Sequence, residues 1–135
     1  MENSKVVGKS FPDCVGIVIK DLMESSIYSD VTLVCDDYTK IRTHKLILTS
    51  SSTLFKDILK DDVSISEIFL MGIKGSELES LLNFIYLGEV NVHQKNLCKF
   101  ISAAKNLEFN EIVETVKEAR KEIVETLQKY NTKNN

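Results

Sequence analysis

Two histidines and three cysteines are the side chains with the most chemistry to offer in this 135-residue sequence. Nucleophilic catalysis needs a hydroxyl or thiol beside a base, with a third group orienting that base. His44 stands in Thr43-His44-Lys45 and His93 in Val92-His93-Gln94, and neither belongs to a GxSxG, HExxH or glycine-rich phosphate motif. His44 reads as a hydrogen-bonded residue where a helix begins, and His93 as an exposed residue beside another helix start. Cys14, Cys35 and Cys98 lie far apart, with neither CxxC spacing nor clustered histidine, so they read as buried reduced thiols rather than disulfides or metal ligands. The acid pairs Asp36-Asp37 and Asp61-Asp62 read as solvated turns, because a short carboxylate can bond its own backbone nearby. No catalytic, cofactor or metal site is expected, and hence no enzyme.

Composition narrows the class further. A chain of this length forms one domain, large enough for a core without disulfide or metal staples. Hydrophobic residues make up 43% and charged residues 27%, the balance of a globular protein. The net charge of −3 argues against a grip on nucleic acid, since such proteins present a basic face to phosphates. The N-terminal MENSKVVGKS lacks the apolar centre of a signal peptide, and the longest apolar runs, Ile68 to Met71 and Phe84 to Leu87, fall far short of the roughly 20 residues a membrane span needs. An intracellular protein without membrane contact is the expectation.

The elements that would position these residues are legible in order. Pro12 suits the first turn of a helix, with Ser10 or Phe11 as cap, and Val15, Val18, Ile19, Leu22 and Met23 form its apolar stripe up to Ser25-Ser26. Val31, Leu33 and Cys35 alternate with Thr32 and Val34 as in a strand, Asp36 to Thr39 is turn material, and Lys40 to Thr43 completes a hairpin. Leu46-Ile47-Leu48 is ambiguous by period alone and, taken naively, reads as strand. Ser51 or Ser52 can cap a helix through Leu54, Phe55, Ile58 and Leu59, ended by Lys60-Asp61-Asp62. A short strand follows around Ile68-Phe69-Leu70. Ser76 to Glu79 fits a capping box for a helix with Leu78, Leu81, Leu82 and Ile85 on one face, stopped by Gly88. Glu89 to Val92 reads as another short strand. Helices then start near Gln94 and Asn110, the last with Ile112, Val116, Ala119, Ile123 and Leu127 along one side and packed on the domain.

Three of these blocks, SDVTLVCDD, THKLILTSSSTLF and LESLLNFIYLGEVNV, occur in the order and at the spacing of a BTB/POZ domain. The sequence resembles that family over residues Phe11 to Phe109, and most resembles the tramtrack/bric-a-brac type found in transcription and chromatin factors. The resemblance implies an α+β fold in which helical hairpins flank a small mixed sheet, and it makes Leu46 to Ser51 helical. The chain then divides into residues 1–10, which read as a flexible terminus or, by the resemblance, as an exchanged strand at Lys5 to Gly8, the domain itself (11–109), a C-terminal amphipathic helix read from its spacing (110–130) and a polar, disordered tail (131–135).

The function implied by the resemblance is protein–protein interaction through homodimerisation, with higher oligomers as an extension and a corepressor as a further partner. The implied interface comprises Val15, Val18, Ile19, Leu22, Met23 and Leu46, together with Asp30 facing Lys45 in a charged pocket. A buried charge pair of that kind would make loss of either partner cost about 3–5 kcal/mol. The location implied is nuclear, with the cytoplasm as the alternative. Some relatives in the family are adaptors for cullin ubiquitin ligases, and the matching contact here would be Phe55, Leu59 and Asp61. The family motif has glutamate where this chain has Asp61, a departure that weighs against the adaptor role.

Overall fold

Alternation decides the first strand, and the chain turns its apolar side inward: Val31 and Leu33 are 0% exposed and Cys35 is 4% exposed. A computed structural model describes residues 3–7 and 11–133. In it β1 (Val31–Cys35) pairs antiparallel with β2 (Lys40–Thr43), Leu33 standing opposite Ile41, as expected for the hairpin. The third strand, β3 (Glu67–Leu70), lies parallel to β1 on its other side, with Leu33 opposite Ile68 and Cys35 opposite Leu70. The sheet order is therefore β2-β1-β3, with the most buried strand in the middle. A parallel neighbour requires a crossover connection, and a helical hairpin supplies it.

Before the sheet comes α1 (Phe11–Ser25), which places Pro12 in its first turn. The expected cap at Ser10 lies outside the described residues. Within the crossover, α2 (Lys45–Ser51) and α3 (Thr53–Leu59) are separated by one residue in extended conformation, Ser52. The helical form of Leu46-Ile47-Leu48 splits the three side chains, with Leu48 fully buried, Ile47 half-buried and Leu46 74% exposed. Ser52 Oγ accepts the Phe55 N–H at 3.1 Å and donates to the Leu107 carbonyl at 2.5 Å. It therefore caps α3 and ties the crossover to the end of α5 (Leu97–Asn106).

The helix after β3 is α4 (Gly75–Leu87), whose Leu78, Leu81, Leu82 and Tyr86 enter the core. Its start corrects the expected capping box. The helix begins before Ser76, and it is Glu77 that accepts the Lys74 N–H, at 3.2 Å. The reason lies outside the helix. The Asp37 carboxylate, in the β1–β2 turn, accepts the Gly75 N–H at 3.2 Å, and Asp36 accepts the Gly72 N–H at 2.7 Å. A cap delivered from another element sets where the helix starts. Gly75 is needed there, because a Cβ at that position would lie 2.6 Å from the Thr39 side chain.

Gly88 closes α4 with φ +78° and an N–H bond of 2.7 Å to Phe84. The expected strand at Glu89 to Val92 is absent from the described sheet. Val90 and Val92 instead lay their side chains half-buried against the core, with no neighbouring strand to pair their backbone. A single 3₁₀ turn, Gln94–Asn96, leads into α5, and α6 (Asn110–Lys133) ends the described chain. Ile112 is buried at 2% exposure and Val113 and Val116 are half-buried, but Ile123 is 60% and Leu127 55% exposed. The helix therefore packs on the domain only through its first turns, which corrects the expected docking along its whole apolar side. It also runs helically through Asn131 and Thr132, where a disordered tail was expected; Asn134 and Asn135 lie outside the described residues.

Candidate protein-interaction surface

The sharpest sequence expectation was a charged pocket formed by Asp30 and Lys45. The two residues do meet, but not through their charges. Asp30 Oδ1 accepts the Lys45 backbone N–H at 2.7 Å, while Lys45 Nζ reaches the Val63 carbonyl at 2.8 Å. Within one chain Asp30 is exposed and Lys45 half-buried, and the link between them is a helix cap and a loop tether rather than an ion pair. Asp30 supplies the cap that His44, the residue just before α2, does not give with its own side chain.

His44 is occupied elsewhere. Its Nε2 donates to the Ile27 carbonyl at 2.6 Å, which leaves Nδ1 to accept from the Tyr86 hydroxyl at 2.7 Å. Thr43 Oγ1 lies 2.6 Å from the same hydroxyl, all three side chains being buried. Burial raises the Tyr86 phenol above its ordinary pKa, so the group stays a neutral donor. This network joins the segment after α1, the start of α2 and α4. It is a structural clasp, with every ring nitrogen engaged by protein.

Close by, Asp62 accepts from the Ser64 hydroxyl and from its N–H at 3.0 Å, in the loop that Lys45 reaches. The Ser64 hydroxyl bond is the main reason its carboxyl titrates below the ordinary value. Asp37 is likewise held low, chiefly by the Thr39 side chain and also by the Gly75 backbone. Asp61-Asp62 is thus the exposed local turn expected, whereas Asp36-Asp37, also exposed, anchors backbone groups up to 38 residues away, beyond the reach of local turn chemistry.

The thiols divide. Cys35 is buried in the core, where desolvation, with help from Asp37 and Asp36, raises its pKa; Cys98 is exposed. The side chain of Cys14 lies outside what is described. His93 is exposed as expected and accepts the Lys95 N–H at 3.2 Å. Among the described residues no group of three His, Cys, Asp or Glu side chains converges as a metal site would, and no helix is long and apolar enough to cross a membrane.

What stands out instead is apolar surface. On α1, Val15 is 40% and Ile17 70% exposed; just beyond it Ile27 is 49% exposed, and on α2 Leu46 is 74% exposed. Val18 and Leu22 are half-buried, whereas Ile19 and Met23 pack on the chain's own core. The expected α1 stripe thus serves two sides, and Ile17, which lies off the stripe, was missed for that reason. The cullin expectation needs a firmer correction. Phe55 is 0% and Leu59 5% exposed, Phe55 resting 5.9 Å from the Phe109 ring, so only Asp61 of the three is accessible.

A small mixed sheet carried by helical hairpins, with its polar groups spent on internal clasps and apolar side chains left outside, is the architecture of a protein-interaction module of the BTB kind. The chain belongs to the BTB/POZ domain family, whose sequence profile matches residues 19–123. It is 32% identical over 104 residues to the longitudinals lacking protein-like protein of Drosophila melanogaster, covering 76% of this chain and 81% of that one. To the Broad-complex core protein of the same organism it is 31% identical over 99 residues, 73% of this chain but only 14% of that relative. The BTB domain of zebrafish PATZ1 has the same fold, with a TM-score of 0.73 at 19% identity, over 88% of this chain and 99% of that one.

Proposed function

We propose that this chain is a homodimerising module of a transcription or chromatin regulator that acts in the nucleus. The observation that carries the reading is the exposed apolar set on α1, just after it and on α2: Val15, Ile17, Ile27 and Leu46. The His44 bond to Ile27 and the Asp30 bond to Lys45 hold the segment after α1 beside the start of α2, which carries Leu46, while Val15 and Ile17 lie further back along α1. Exposed apolar patches of this kind mark interaction sites. A second copy would cover them isologously, the same patch on both subunits. Asp30 and Lys45 lie at the same region and would become buried there.

Light scattering across a wide dilution series tests this. A mass that does not fall below twice 15.3 kDa on dilution supports an obligate dimer. Substituting Ile17→Glu in the exposed set should lower that mass to the monomer at the dilute end of the series, and a monomeric wild-type protein would sink the proposal. The alternative, an adaptor for a cullin ligase, keeps only Asp61 as an accessible contact. It is tested by titrating the chain against a cullin N-terminal region, and absence of binding at micromolar concentration removes it.

A further inference from the structure

The second half of α6 carries an apolar stripe that nothing among the described residues covers. The side of the helix that buries Ile112 and half-buries Val116 continues outward through Ala119, Ile123, Leu127 and Tyr130, and the last three are 60%, 55% and 66% exposed. At 3.6 residues per turn these positions share one face, while Glu118, Lys121, Glu122, Glu125 and Lys129 fall on the opposite one. From Lys117 onward the helix projects about 25 Å past its last half-buried side chain. An amphipathic helix draws most of its stability from packing of the apolar face, and this length has no such packing among the described residues.

We propose that this stripe pairs antiparallel with the α6 stripe of a second copy, forming a self-contact separate from the one at α1. The charge pattern selects both the occupant and the direction. Arg120 is the one formal charge within the stripe from Val116 to Tyr130. A parallel pairing would set Arg120 against Arg120, like charges face to face. An antiparallel pairing with its two-fold axis at Glu125 sets Arg120 against Tyr130 of the second copy, a guanidinium on an aromatic ring. The same register sets Ile123 against Leu127 in both directions. Flanking the seam, Val124 meets Val124 and Thr126 meets Thr126, with no like-charge pair among them. An isologous contact of this kind closes on itself. Its buried area is small beside the 1,200–2,000 Å² or so of a standard stable interface, so it adds to another association rather than replacing one.

This contact does not depend on the α1 dimer, and the test keeps the two apart. Mass is measured by light scattering for the full chain and for two variants, Ile123→Glu with Leu127→Glu, and Ile17→Glu. Both α6 sites are more than half exposed, so the double variant leaves the core intact. The expectation is a wild-type mass above the dimer at high concentration, falling to the dimer in the α6 variant. If the α1 reading fails, the α6 contact still predicts a dimer that the α6 variant abolishes and Ile17→Glu leaves unchanged. A mass unaffected by the α6 variant overturns the proposal, including the case in which a different protein occupies the stripe. Register is read by mixing Ile123→Cys and Leu127→Cys chains under mild oxidation and mapping the disulfides by peptide mass spectrometry. A 123–127 bridge between the two chains supports the pairing, and predominant 123–123 and 127–127 bridges overturn it in favour of a parallel one.

Discussion

Asp30 and Lys45 are joined through an amide rather than an ion pair: the carboxylate accepts the Lys45 N–H at 2.7 Å while the ammonium turns to Val63. The relationship changes what substitution should do. Loss of a helix cap costs about 0.5–2 kcal/mol, whereas removal of one partner of a buried ion pair costs about 3–5 kcal/mol. Asp30→Ala should therefore lower the stability of the isolated fold by about 1 kcal/mol in urea titration. Asp30→Asn, which keeps an acceptor, should restore most of it. A loss of several kcal/mol in a dilute monomeric variant such as Ile17→Glu would mean that the charge is buried in the fold itself.

The hydroxyl of Tyr86 serves both His44 and Thr43 in a buried setting. Tyr86→Phe preserves the ring and strands two polar groups, at about 1–3 kcal/mol by the cost of unsatisfied buried partners. Thr43→Val in the same background should recover part of that loss, since it removes one of the stranded groups. Equal stability of the wild type and Tyr86→Phe in thermal unfolding would remove the clasp from the account.

Phe55 contacts the Phe109 ring and is fully buried. Phe55→Ala should cost about 3–5 kcal/mol through lost contacts and a cavity. Any binding defect of that variant should therefore track its unfolded fraction. Circular dichroism measured beside binding separates the two, and Asp61→Ala, at an exposed site, is the clean probe of a cullin contact.

Asp37 and Asp62 both titrate below the ordinary aspartate value, the first mainly through Thr39 and the second mainly through Ser64. A group with a depressed folded pKa adds its stability fully above its unfolded value, about 3.9. That contribution is lost as pH falls through the folded value. Urea midpoints should thus be insensitive to these two residues near neutral pH and decline in acid. Asp37→Asn should flatten the decline. A steeper acid decline in that variant would reverse the assignment.

Local rules made much of the fold legible. Alternation gave β1, proline and the apolar stripe gave α1, and Gly88 gave the end of α4, because each depends on neighbours within a few residues. The helicity of α2 was not readable from Leu46-Ile47-Leu48; it came only with the family blocks. The failures share a cause. The start of α4 depends on Asp37 in a distant turn, and the backbone of Glu89 to Val92 lacks a partner that would make it a strand. At the candidate site, the stripe on α1 showed which residues are apolar but not which of them point away from the core. Ile19 and Ile17 differ only in what folds over them. Phe55 and Leu59 fail as surface contacts for the same reason.

The parallel placement of β3 beside β1 has a consequence for biosynthesis. The β1–β2 hairpin leaves the ribosome well before β3, with one edge of its central strand bare and its inward face oily. That edge stays open until α2, α3 and the following loop have been made, because the strand that closes it comes after them. The Leu107 carbonyl that Ser52 holds arrives later still. A nascent chain that has emerged only to a point between Ser52 and Leu70 would therefore display an unpaired β edge, and such edges are where chaperones and misassembly compete.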